Sequence, residues 1–184
     1  MMIRAIMLSG MILSATPLAS AQVFVIGTGL ARECFEDVQS GASSYMRTEE
    51  KCSRALREES LSAGNRAATY VNRGVMRMRA GKYDLALSDY SQALESNPDL
   101  GAAYLNEGAA HIYQKDFAAA LPALNRAIEL NTNELYAAHY NRAIARENTG
   151  DFEGAYTDFQ TALALKPEWD LAIRQLSRFE VTTP

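Results

Sequence analysis

The chain has 184 residues, 18 of them basic and 22 acidic, for a formal net charge of −4 at pH 7. That surplus of acid disfavours nucleic acid as a partner, because a phosphate backbone rewards clustered lysine and arginine. The length allows one modest domain.

In chain order, residues 1–21 read as a secretory signal peptide. Arg4 precedes an apolar run from Ile6 to Leu13, and Ala19-Ser20-Ala21 precedes a cleavage point before Gln22. The run is broken by Ser9, Gly10, Ser14 and Pro17 and falls short of the roughly 20 residues of a bilayer span. The expectation is a periplasmic or secreted protein with no stable membrane insertion after cleavage. The remaining 163 residues carry 17 basic and 22 acidic side chains, unevenly placed. Residues 22–82 hold ten Lys or Arg against seven Asp or Glu, and residues 83–184 hold seven against fifteen. One reading is of solvated faces only; another places Arg73, Arg77 and Arg79 near the end of a binding surface.

Residues 22–66 form an N-terminal segment with helical stretches from Leu30 to Gln39 and from Thr48 to Glu58, one cysteine in each. Export favours pairing of thiols. The alignment of Cys52-Ser-Arg-Ala55-Leu56 with Tyr90-Ser-Gln-Ala93-Leu94 makes the segment a degenerate first copy of the repeat that follows. Cys52 then sits on the second helix of a hairpin with Cys34 facing it, and a Cys34–Cys52 disulfide would staple that hairpin. The spacing is far wider than the Cys-x-x-Cys turn of redox catalysis. Zinc would need two more ligands, and His111 and His139 fall in later copies at helix positions held elsewhere by Arg77 and Tyr70. No metal or other cofactor is expected.

Residues 67–169 carry one segment written three times. Tyr70-Val-Asn-Arg-Gly74, Tyr104-Leu-Asn-Glu-Gly108 and His139-Tyr-Asn-Arg-Ala143 align, and the register continues through Tyr83/Phe117/Phe152, Ala86/Ala120/Ala155 and Ala93/Ala127/Ala162. The interval is 34 residues, then 35, with the extra residue between Thr132 and Asn141. A period of this length means stacked supersecondary units. Each unit reads as two antiparallel helices. In the first, a helix over 67–79 ends at Gly81, a second begins near Asp84 and runs to Glu95, and Asn97-Pro98 stops the chain. Asp116 and Asp151 occupy the same turn in later units, where a carboxylate can accept from a free helix-start amide. Gly74, Gly108 and Ala143 are expected to meet Ala86, Ala120 and Ala155 at a close approach of the two helices, with Tyr83, Phe117 and Phe152 filling the wider part of the gap. Pro122, inside a second helix, predicts a kink or a late helix start.

These residues resemble the tetratricopeptide repeat family. Gly74, Tyr83, Ala86, Tyr90, Ala93 and Pro98 match its small, aromatic and proline pattern, while Ala143 and Thr132 depart mildly from it. The resemblance covers three full repeats at 67–100, 101–135 and 136–169, with the degenerate hairpin before them and a capping helix and tail at 170–184. It implies an all-α superhelix of helix hairpins whose concave groove, lined by the first helix of each pair, holds peptide segments of other proteins.

Asn72, Asn106 and Asn141 recur inside the first helices although asparagine is a mediocre helix former. Each amide either bonds a neighbouring helix or connector, or grips the backbone of an extended peptide. The second account resembles the asparagine ladder of some family members and predicts one rung for every third peptide residue. Val71, Leu105 and Tyr140, with Val75, Ala109 and Ile144 one turn on, would line apolar pockets beside the rungs. Arg79, facing the groove near Tyr113, would receive an acidic side chain or terminal carboxylate. Val71 and Ala68 do not supply the family's lysine carboxylate clamp. No general acid and base pair, nucleophile with histidine, or glycine-rich phosphate loop stands out. The expected function is therefore a non-catalytic binding module for an extended segment of a protein partner. The alternatives are an accessory subunit of an envelope enzyme or assembly complex, and a self-assembling homo-oligomer in which Val23 to Ile26 or the tail Val181 to Pro184 inserts into another copy.

Overall fold

A turn with one left-handed residue closes each repeat hairpin. Gly81, Lys115 and Gly150 hold φ of 74°, 63° and 89° at equivalent places. One residue later, in the second and third repeats, the carboxylates of Asp116 and Asp151 accept from the amides of Ala119 and Gly154 at 3.2 and 2.9 Å and start the next helix. The first repeat has Lys82 at that point and no side-chain cap.

The computed structural model describes residues 2–5, 20–41 and 44–182. Among them the order is β1 (Met2–Ala5), α1 (Leu30–Gln39), α2 (Tyr45–Glu58), α3 (Ala63–Arg79), α4 (Tyr83–Ser96), α5 (Gly101–Tyr113), α6 (Phe117–Glu129), α7 (Leu135–Asn148), α8 (Phe152–Leu165), α9 (Asp170–Leu176) and β2 (Phe179–Thr182). Pairs α1/α2, α3/α4, α5/α6 and α7/α8 pack as antiparallel hairpins, and each stacks on the next. The first helices α1, α3, α5 and α7 also touch one another in sequence, whereas the second helices meet mainly their own partners and the following first helix. Closer spacing of the first helices curves the stack and makes their side the concave one.

The extra residue of the second interval lies in a connector. Four residues, 97–100, separate α4 from α5, and five, 130–134, separate α6 from α7. Helix α3 begins four residues earlier than the predicted 67, because Ser62 caps it by accepting from the Asn65 amide at 3.2 Å. Helix α6 starts at Phe117, in register with Tyr83 and Phe152, so Pro122 does not delay the start. Its ring costs the Ala118 carbonyl one amide donor, and Ala118 is exposed, so water can serve it. Gly154 lies in the first turn of α8 beside the Asp151 cap.

The expected meeting of small residues needs correction. Gly74 faces the ring of Tyr90 and Gly108 faces the side chain of Leu124, one turn beyond Ala86 and Ala120; a methyl at either glycine would overlap those atoms. The glycines admit one large fully buried side chain from the facing helix. Tyr83, Phe117 and Phe152 are only partly buried. Gly74→Ala is expected to lower stability by about 1–3 kcal/mol through overpacking against Tyr90. Urea denaturation measures this, and an unchanged midpoint would contradict the packing account.

A second correction concerns the C-terminal end. Within the predicted capping helix and tail the helix stops at Leu176, and residues 179–182 form a strand antiparallel to β1, with Met2 opposite Thr182 and Ala5 opposite Phe179. The sulfurs of Cys34 and Cys52 lie 2.08 Å apart, so α1 and α2 are joined by the expected disulfide. No helix among the described residues is long and apolar enough to cross a membrane.

Candidate functional site

Asn72 on α3 and Asn106 on α5 point into the concave side, and the chain's own residues 20–26 lie extended across them. The Asn106 amide group donates to the carbonyl of Ala21 at 2.6 Å and accepts from the amide of the same residue at 2.8 Å. Asn72 treats Val23 identically, at 2.8 and 3.0 Å. Asn65, two helical turns before Asn72 on α3, does the same to Ile26, at 2.7 and 3.1 Å. A carboxamide has both a donor and an acceptor in one plane, which matches the N–H and C=O that an extended residue turns to one side. Asn72 and Asn106 are completely buried beneath this segment; Asn141, at the equivalent place on α7, is completely buried as well.

The spacing differs from one rung per three residues throughout. Asn65 and Asn72 share a helix, where seven residues rise about 10.5 Å. Three extended residues advance about 10 Å, so Val23 and Ile26 fit that interval. Asn72 and Asn106 lie on neighbouring helices and engage residues two apart, about 6.7 Å. Side chains on the inside of a curved stack converge, so their tips are closer than the helix axes.

Two parts of the segment are held differently. From Val23 to Ile26 it is built into the first hairpin. Val25 is buried among Ala31, Phe35, Ala55 and Ala68, and its carbonyl accepts from Arg32 at 3.2 Å. Phe24 meets Phe35 edge to face at 5.1 Å, with the Arg32 guanidinium 4.6 Å from its ring. Ala21, by contrast, is 1% exposed in the cluster of Leu105 and the third repeat. The segment runs from the second repeat toward the first, antiparallel to the order of the repeats.

The other predicted site residues fall in several places. Val71 and Val75 belong to the buried cluster against which Val23 packs, and Leu105 belongs to that of Ala21. Ala109 is fully buried in the first of these clusters. Tyr140 and Ile144 are core residues of the third repeat, with the Tyr140 ring 5.5 Å from Phe159 and 4.7 Å from Trp169. Arg79 donates to the Val38 carbonyl at the end of α1 at 3.1 Å, tying the first hairpin to the second, and Tyr113 stacks on Tyr83 at 5.5 Å. Arg79 thus helps hold the helices together.

Arg73 and Arg77 are likewise structural. Both pair with the buried carboxylate of Asp89, at 2.6 and 2.9 Å, and Arg77 also reaches Glu49. The third repeat repeats this arrangement, with Arg142, Arg146 and His139 around the buried Asp158 at 2.7–2.8 Å. In the second repeat the corresponding residues are Glu107, His111 and Ala123. Burial pushes the Glu107 carboxyl above its ordinary value, with His111 acting in the other direction. No cluster of metal-ligating side chains occurs among the described residues.

Asn65 and the residues it and the other rungs hold were the features the repeat alignment missed. Asn65 precedes the first repeat boundary, so it has no partner copies; its spacing of seven from Asn72, two turns on one face, was the available signal.

The tetratricopeptide repeat family matches in two stretches, residues 65–133 and 136–169, together more than half of the chain. Human serine/threonine-protein phosphatase 5 is 34% identical over 89 residues, which are 48% of this chain and 18% of the phosphatase, so the chain spans only about a fifth of that relative. Among solved structures, MamA from Desulfovibrio magneticus RS-1 superposes with a TM-score of 0.67 over 81% of this chain and 82% of its own, at 20% identity, a likeness of fold. The second tetratricopeptide domain of human RPAP3, in complex with an HSP70 peptide, superposes with a TM-score of 0.59 at 25% identity, over 62% of this chain and 95% of that domain. Helix hairpins stacked in register, a concave face of first helices and these matches lead to one conclusion: the chain belongs to the tetratricopeptide repeat family.

Proposed function

We propose that this protein is a non-catalytic interaction module of the bacterial periplasm or cell surface that holds an extended segment of a partner protein along its concave face. One observation carries the reading: Asn72 and Asn106 each bond both the N–H and the C=O of a single residue in an extended strand. Such contacts ignore side-chain identity and suit any polypeptide that lies extended. The RPAP3 domain, which holds a peptide on the same type of scaffold, supports a peptide as the partner class. Its HSP70 peptide ends in acidic residues, whereas Val71 and Ala68 here offer no lysine clamp, so backbone contact takes precedence over charge. Placement outside the cytoplasm draws support from the leader-like residues 1–21 and from the disulfide. Service as an accessory subunit of an envelope assembly is compatible with the same groove.

Changing Asn72, Asn106 and Asn141 together to alanine is expected to abolish crosslinked capture of partners in intact cells while helical circular dichroism stays nearly unchanged. A variant that keeps its full set of partners removes the proposal.

A further inference from the structure

The position of the expected processing point relative to the rungs assigns the groove a ligand class. Hydrolysis of the Ala21–Gln22 bond by an export peptidase consumes one water and leaves an α-carboxylate on Ala21 and a new amino terminus at Gln22. Everything from Val23 onward stays anchored, because Asn72, Asn65, Arg32 and the Phe35 ring hold it on α1 and α3. Residues up to Ala21 lose their covalent tie. Asn106 then becomes a rung with a complete donor and acceptor pair, while the groove beyond it toward the first repeat remains filled by the protein's own strand.

We propose that the processed protein captures polypeptides by their C-terminal end, seating a small last residue on Asn106; this rests on the groove reading above and deepens it. Three features specify the ligand. Direction comes first: the seated strand runs from the second repeat toward the first, so the end that meets Gln22 is a C-terminus. Space comes second, since a chain continuing past Asn106 would have to displace Val23, whose two backbone bonds and packing oppose that. Size comes third: Ala21 is 1% exposed in the cluster of Leu105, so a longer side chain there would have to displace packed neighbours. The fitting ligand is an extended segment ending in alanine or a residue no larger. The released leader, ending in Ala21, is itself such a ligand and would compete until it is cleared.

The test uses the exported protein purified from cells. Intact mass first establishes that it begins at Gln22, in open or cyclised form. Calorimetric titration then compares three synthetic peptides: Thr16 to Ala21 with its free carboxylate, the same peptide with Ala21→Leu, and the same peptide extended through Gln22 and Val23. The first is expected to bind, the other two at least tenfold more weakly, and Asn106→Ala protein with native helicity is expected to lose at least tenfold toward the first. Failure of all three peptides to bind, a chain that does not begin at Gln22, equal binding of the extended peptide, or indifference to Asn106→Ala would each overturn the inference. Equal binding of the extended peptide that is lost in the triple asparagine variant leaves the groove reading standing. Retained partner capture by that triple variant removes both.

Discussion

Asp158→Asn is expected to destabilise the third repeat by about 3 kcal/mol, toward the lower end of what breaking a buried ion pair costs. Its carboxylate is 3% exposed and accepts from Arg142 through two nitrogens, from Arg146 and from the His139 ring. An amide of the same size removes the charge and leaves two guanidiniums facing a neutral group. Arg142 and Arg146 are 15% and 28% exposed, so water relieves part of the loss. The pH dependence has a definite sign. Burial pushes the Asp158 carboxyl upward, but Arg142, His139 and Arg146 outweigh it and hold it below its ordinary value of 3.8. The group therefore contributes stability above the unfolded value and loses it as pH falls through the lower folded value. Asp89 behaves oppositely: burial raises it above 3.8 against the pull of Arg73 and Arg77, so its contribution is present below the unfolded value and fades as pH rises through the folded one. Urea denaturation between about pH 5 and pH 3 should show Asp158→Asn flattening the acid loss of stability. An acid limb as steep as the parent's would count against this account.

Opening the Cys34–Cys52 disulfide is expected to cost about 3 kcal/mol, as the cross-link spans 18 residues of chain. The loss should concentrate in α1 and α2, because repeat arrays transmit stability mainly to the adjacent unit. It should also loosen the seated strand, since α1 supplies Arg32 and Phe35, which hold Val25 and Phe24. Amide hydrogen exchange of the Cys34→Ala, Cys52→Ala double variant should show faster exchange in residues 30–58 and at Val23, with α7 and α8 unaffected. Unchanged protection in α1 would mean that packing alone fixes the first hairpin.

Much of the scaffold was legible from residues because repetition supplies its own alignment. Three copies in register placed the second-helix starts near Asp84, Asp116 and Asp151, one residue from the observed Tyr83, Phe117 and Phe152, and located the extra connector residue, none of which a single copy would have fixed. The asparagines were visible for the same reason: a poor helix former recurring inside helices has to serve something. What the copies could not reveal was anything present once. Asn65 lies before the first full copy, the strand 20–26 belongs to no repeat, and β2 pairs with residues 2–5 far away in the chain. Side-chain direction was also hidden. Arg73, Arg77 and Arg79 looked like a basic patch, yet Asp89, Glu49 and the Val38 carbonyl claim them.

The amino-acid order by itself determined that this is a stack of helix hairpins with asparagines at one recurring place and a cross-linked first hairpin, because periodicity, turn chemistry and cysteine pairing are local or repeating properties. Only the tertiary structure decided what those asparagines hold, since an extended strand has no periodicity of its own and earns its place through bonds to residues 39 to 85 positions away. It also decided that the glycines face Tyr90 and Leu124, a matter of helix rotation about its axis that one turn of sequence leaves open.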